Sequence, residues 1–185
     1  MIELMVVIAI VAILTTLAAP SFKQLIQSNS MSSTVNAFLA DLRFARSEAI
    51  RRGGSVMMCR SDAPEIADPT CGSGDGPGGN GWVSGWIVFQ NLNNGSTRSS
   101  DEPLLRVQGP ITSLNSIMER GGGSSSTKFK FTATGRLLNV SSATTLQFGG
   151  NDTFSNEVQR VVCVSLGGRA RIAGNGTTDC GTNSE

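Results

Sequence analysis

Apolar residues fill the first nineteen positions almost without interruption, and from Leu4 to Ala19 no side chain ionises. The one charge in this run is Glu3. At about 1.5 Å of rise per residue, a helix from Met1 to Ala19 spans roughly 28 Å, close to the ~30 Å hydrocarbon thickness of a bilayer. The pattern predicts a membrane-spanning segment beside a carboxylate that is expensive in lipid without a partner. A secretory signal peptide would place basic residues ahead of the apolar run, and none precedes Ile2. An ordinary anchor has no use for Glu3 and would carry basic residues at its cytoplasmic end.

After Ala19 the pattern becomes periodic instead of continuous. Phe22, Leu25 and Ile26 form one apolar strip, and Val35, Phe38, Leu39, Leu42, Ala45 and Ala49 form a second at spacings of three and four. Asp41, Arg43, Arg46, Glu48 and Arg51 take most of the remaining positions. A single helix over about residues 2–52 accounts for both regimes, with its second half packing one face on a head domain. Pro20 removes a backbone donor and is expected to bend the helix near the membrane surface. Gly53-Gly54 ends it, and Arg51 and Arg52 complement the negative C-terminal end of the dipole.

The pattern then shortens to strands: Ser55–Arg60, Trp82–Phe89, Leu104–Gln108, Lys128–Ala133, Leu137–Val140, Thr144–Phe148, Arg160–Leu166 and Arg169–Ala173. Thr134-Gly135 and Gly167-Gly168 are turn signals, the latter joining the last two strands into a hairpin. Short strands punctuated by Gly and Asn indicate a β-sandwich or a pair of sheets, so the fold class is α+β. The segment from Ser61 to Gly81 reads as a flexible polar surface loop. Its run GSGDGPGGNG has no GK[ST] and opens no helix, so it is not a phosphate-binding loop. Asp75 and Asn80 match no calcium-loop spacing.

The chain has 185 residues, 22 of them Gly. Residues 1–27 are assigned to the membrane and assembly half of the helix, and residues 28–185 to one globular head. The formal charge of +1 gives no global field toward nucleic acid, so any such binding must come from a local patch. There is no His, which removes Ser-His-Asp and Cys-His catalysis and every His-ligated metal site. No acid pair or activated nucleophile stands out; Asp101-Glu102 before Pro103 reads as a solvated turn. The chain therefore reads as neither an enzyme nor a cofactor protein. Four Cys permit three disulfide connectivities. Local pairing, Cys59 with Cys71 and Cys163 with Cys180, is the most economical, and the zinc alternative lacks C-x-x-C spacing.

The string Ile2-Glu3-Leu4-Met5-Val6-Val7-Ile8-Ala9-Ile10 closely resembles the mature N-terminus of type IV pilins and type II secretion pseudopilins. In that family the sequence reads Phe-Thr-Leu-Ile-Glu-Leu after a cleaved Gly. The resemblance implies that Glu3 pairs with the N-terminal amine of a neighbouring subunit during assembly, which would neutralise the acid in lipid. Met1 falls where the family has Leu, so the cleavage Gly and the first Phe-Thr are not in the sequence. The expectation is a start codon read from a Leu codon such as TTG or CTG. The precursor would then begin upstream with a short basic leader for prepilin peptidase.

Three further blocks look like the GspH/FimT branch of minor pilins and pseudopilins: Leu42-Arg43-Phe44-Ala45-Arg46-Ser47-Glu48-Ala49-Ile50, Cys59-Arg60, and Gly81-Trp82 with Gly85-Trp86-Ile87-Val88-Phe89. That branch implies a long N-terminal helix under a head of two antiparallel sheets. It also implies other pilins as partners, inner-membrane residence with a periplasmic head, and later exposure on a pilus.

One constellation carries candidate chemistry, Gly168-Arg169-Ala170-Arg171. Residues two apart on a strand share a face, so Arg169 and Arg171 project together roughly 6.6 Å apart, while Ala170 and Ile172 face the core. Two guanidinium groups on an exposed face suit two phosphates of a nucleic-acid strand. From Arg120 onward there are seven Lys and Arg against four Asp and Glu, and Lys128, Lys130 and Arg136 are candidates to widen the patch. A Gly-Arg-x-Arg motif near the C-terminus is similar to that of FimT-type subunits. This resemblance implies non-specific binding of double-stranded DNA for natural transformation. Related FimU- and GspH-type subunits share the fold and act in pilus priming or secretion, which is the alternative expectation.

Overall fold

The computed structural model describes residues 2–120, 128–138, 143–150 and 154–180, without the side chains of residues 16–21 and 23. One helix, α1 (Ile2–Arg52), runs for 51 residues and is unbroken through Pro20. Nine strands follow: β1 (Val56–Arg60), β2 (Trp86–Gln90), β3 (Leu104–Gln108), β4 (Ile117–Arg120), β5 (Lys128–Phe131), β6 (Leu137–Leu138), β7 (Thr144–Phe148), β8 (Arg160–Val164) and β9 (Ala170–Gly174). They form a five-stranded sheet in the order β3-β2-β1-β5-β6 and a four-stranded sheet in the order β4-β7-β8-β9. Every strand pair within both sheets is antiparallel.

Helix α1 changes character along its length, as its pattern dictates. Residues 2–15 are exposed, and among the described side chains burial begins at Met31. Among the described residues no helix is long and apolar enough to cross a membrane. The expected span of residues 1–19 runs through residues 16–19, whose side chains lie outside the described set. From Met31 onward, Val35, Phe38, Leu39, Leu42, Ala45 and Ala49 are buried at spacings of three and four. They meet Met58, Trp86, Val88 and Phe129 of the first sheet and Leu146, Phe148, Val162 and Val164 of the second in one core. Phe38 is its centre, with its ring edge-on to Trp82, Trp86, Phe129 and Phe148 at centroid distances of 5.2, 5.1, 6.3 and 5.4 Å. These are favourable aromatic geometries.

The helix ends as its glycines predict. Gly53 has φ +77°, and the Gly54 N–H donates to the Ala49 carbonyl at 2.6 Å, closing a left-handed cap. Glu48 accepts from Arg51 and Arg52 in the last turn. Those hydrogen bonds hold its carboxyl well below the usual range, at about 2.

Several sequence expectations change here. Asp41 is not a surface residue. It is buried and accepts from Trp86 Nε1 at 2.9 Å and from Arg106 at 2.7 Å, tying the helix to β2 and β3. Glu102 is buried too, accepting from the backbone N–H of Leu92, Asn93 and Ser99 and so folding residues 91–102 into a compact loop. The glycine-rich run wraps around the buried guanidinium of Arg60, which is paired with Asp62 and donates to the Ser73 carbonyl at 2.8 Å. The expected strand over Trp82–Phe89 begins only at Trp86, because Trp82–Ser84 is a 3-10 turn closed by Gly85 at φ +104°. Strand β4 carries no alternating pattern in its Ile-Met-Glu-Arg sequence and exists through its pairing with β7. The last two residues of the expected strand Leu137–Val140 lie outside the described residues.

Candidate nucleic-acid interface

Strands β8 and β9 form the expected hairpin. The Ser165 N–H donates to the Arg169 carbonyl at 2.9 Å, and the Gly168 N–H donates to the Ser165 carbonyl at 2.9 Å. Gly168 has φ +73° and is buried. A Cβ there would collide with the Gly135 carbonyl oxygen and lie 3.1 Å from the Phe131 ring. Its backbone is therefore the joint that seats this hairpin on the β5–β6 turn. A second link, from the Leu137 N–H to the Leu166 carbonyl at 3.0 Å, joins the same two turns.

Arg169, just before β9, and Arg171, in β9 opposite Cys163 of β8, are both exposed. Ala170 packs on the core as expected. Ile172 lies opposite the buried Val162 but is 46% exposed, on the edge strand of its sheet. Arg136 is exposed in the β5–β6 turn, where its carbonyl accepts from the Thr132 N–H at 2.9 Å. The contact between the two turns brings Arg136 beside the arginine hairpin.

The lysines belong elsewhere. Lys128 and Lys130 pair with Cys59 and Met57 on the outer side of the first sheet. The 91–98 loop covers them there. Lys130 is buried and donates to Asn94 Oδ1 at 3.0 Å, and Lys128 donates to the Ser96 carbonyl at 2.5 Å. Burial, with a smaller contribution from the nearby Arg60 charge, pushes the Lys128 ammonium down. Both ammonium groups are spent on loop carbonyls and amides and do not widen the arginine patch.

Beside Arg171, the Cys163–Cys180 disulfide ties the C-terminal loop to the outer face of β8, and Cys59–Cys71 is also formed. Arg120 pins the same loop, donating to Gln147 Oε1 at 2.8 Å, to the Thr178 carbonyl at 3.0 Å and to the Gly176 carbonyl. Sequence reading missed this role, since it depends on the unforeseen strand β4. Replacing Cys163 and Cys180 by Ser should lower stability by about 3 kcal/mol in the chain-entropy model. It should also loosen the frame of Arg171. Denaturant unfolding and duplex binding of the same variant check both, and unchanged unfolding would contradict the role.

Most cations in the head have internal partners. Arg51, Arg52, Arg60, Arg98 and Arg106 are in ion pairs, and Arg120, Arg160 and the two lysines donate to carbonyl and side-chain oxygens. Among the described residues, the hydrogen bonds and ion pairs leave the side chains of Arg43, Arg46, Arg136, Arg169 and Arg171 unpartnered. The same residues contain no cluster of acidic, Cys or His side chains that could hold a metal ion.

The family model described as type II transport protein GspH matches residues 34–168. The match ends at the joint glycine, immediately before Arg169. The type IV minor pilin FimU of Pseudomonas aeruginosa (strain PAO1) is similar in fold in two crystal forms. One has a TM-score of 0.57 at 21% identity, covering 83% of this chain and 95% of that one. The other has a TM-score of 0.54 at 22% identity, covering 82% and 98%. No curated protein matches the chain.

Proposed function

The chain belongs to the GspH family of type II transport proteins, a family of minor pilins and pseudopilins and not of enzymes, and we propose that its head binds double-stranded DNA for uptake in natural transformation. The observation that carries this reading is that Arg169 and Arg171 of the hairpin, and Arg136 in the β5–β6 turn whose backbone meets it, are all exposed and unpartnered among the described residues. A duplex presents one phosphate about every 1.7 Å of its axis, so cations spaced along a strand find partners without reading bases. Neither an exposed aromatic platform nor a recognition helix accompanies the arginines among the described residues. Binding is therefore sequence-independent and salt-sensitive, and repetition along a fibre raises its avidity.

Other pilins are the partners through α1. Before assembly the head sits on the periplasmic side of the inner membrane, anchored by the N-terminal half of α1, and afterwards on the pilus. Prepilin peptidase processes the precursor where a leader precedes this sequence. Glu3, in the first turn of α1 and exposed, neutralises the amine of a neighbouring subunit. A Glu3→Val subunit expressed with a leader should fold its head normally and fail to enter pili. Immunoblots of sheared pili check this, and normal incorporation would contradict it.

A second reading, a structural priming or tip subunit without DNA binding, is favoured by the similarity to FimU. The two readings separate in cells carrying Arg169→Gln with Arg171→Gln. DNA binding predicts lost transformation with pili still assembled. The structural reading predicts unchanged transformation.

A further inference from the structure

We propose that Arg46 of α1 is a further phosphate contact, so that the bound duplex spans from strand β9 across the β5–β6 turn to the helix. The inference rests on the DNA-binding reading above and extends its site to an element that the Gly-Arg-x-Arg motif does not touch.

Arg46 follows Ala45 on the helix face that packs into the head, and it is half-buried. Its Nε is buried and has no hydrogen-bond partner. A buried guanidinium N–H without an acceptor is costly, and a charged one more so. The acids nearest in sequence on α1 do not relieve it. Asp41 is taken by Trp86 and Arg106, and Glu48 by Arg51 and Arg52. The Arg46 side chain lies against Gly135, where an added Cβ would stand 2.8 Å from its Nε and 3.2 Å from its Cγ. The carbonyl of the same Gly135 presses on Gly168 of the arginine hairpin. One glycine thus separates Arg46 from the motif, and Arg136 is the next residue. The Nε itself is closed to solvent, so an anion over that turn would be met by the terminal amino groups of the Arg46 guanidinium, which no hydrogen bond or ion pair among the described residues engages, in a charge-assisted hydrogen bond.

The test uses the full-length chain in detergent and a fluorescently labelled duplex, with affinity measured by anisotropy across a salt series. Each phosphate contact contributes about 0.9 to the slope of log affinity against log salt. Arg46→Gln should therefore make the slope shallower by about one unit. Over a fourfold rise in salt, its affinity should fall about 3.5-fold less than that of wild type. Arg46→Lys, which keeps a point charge, should retain most of the slope. If Arg46→Gln keeps the wild-type affinity and slope while Arg169→Gln with Arg171→Gln loses binding, the extension to α1 is wrong and the hairpin reading stands. If the double variant binds like wild type, the hairpin reading itself fails. Weaker binding of Arg46→Gln at an unchanged slope would assign Arg46 to packing and overturn the proposal. Where Arg46→Gln does not fold, modification of wild-type arginines by phenylglyoxal decides the matter. The duplex should protect Arg46 together with Arg169. Protection of Arg169 alone, or protection of Arg46 by an acidic pilin partner and not by the duplex, would overturn it.

Discussion

Phe38→Ala should destabilise the head by about 3–5 kcal/mol, the range for removing a fully buried aromatic ring. For a chain of this size that corresponds to a fall in Tm of roughly 6–20 °C. The size of the effect follows from position. Phe38 stands on α1 and meets Trp86 and Phe129 of one sheet and Phe148 of the other, so its ring fills the space where three layers join. An alanine there leaves a cavity lined by rigid aromatics that cannot collapse into it. Phe38→Leu, which keeps much of the volume, should cost less. Thermal or denaturant unfolding of the full chain in detergent measures both. A loss below about 1 kcal/mol for Phe38→Ala would mean that the sheets hold together without the helix, contrary to the packing described.

The helix was legible because its signals are local. The 3–4 spacing from Val35 to Ala49 and the Gly53-Gly54 stop each act within a few residues, and both appear as read. Strands β3 and β7 match their expected bounds, since alternation and flanking turn residues mark them. What was hidden depends on partners distant in the chain. Asp41 looks like any helix-surface acid until Trp86 and Arg106, 45 and 65 residues away, supply its hydrogen bonds. Glu102 likewise looks solvated until the 91–99 backbone closes over it. Strand β4 exists by virtue of β7.

The candidate site divides along the same line. Alternation predicts that Arg169 and Arg171 share a face; the structure has both exposed, with Arg171 opposite Cys163 of β8 and Arg169 just before β9 begins. Lys128 and Lys130 alternate with Phe129 and Phe131 and so share a strand face, but alternation does not say which sheet that face belongs to. The sheet order puts them under the 91–98 loop, away from the hairpin. The sequence marks Gly168 as a turn residue of the motif, and nothing local to it shows what its backbone faces. Its contact with Gly135, across 33 positions of sequence, makes it a joint.

Under the proposed function, unpartnered arginines on the β8–β9 hairpin hold duplex DNA through its phosphates. The most direct test is the salt dependence of duplex binding by the full-length chain and by its Arg169→Gln, Arg171→Gln variant, with folding checked by the unfolding midpoint. Each arginine that neutralises a phosphate releases condensed counterions, so removing both should make the slope of log affinity against log salt shallower by about 1.8. The loss should be the same for duplexes of unrelated sequence, because phosphate contacts carry no base information. Lysine at both positions should restore binding only in part, since an ammonium lacks the planar fork that engages two phosphate oxygens. A folded double glutamine variant that binds with the wild-type affinity and slope would contradict the account and leave the chain a structural pilin.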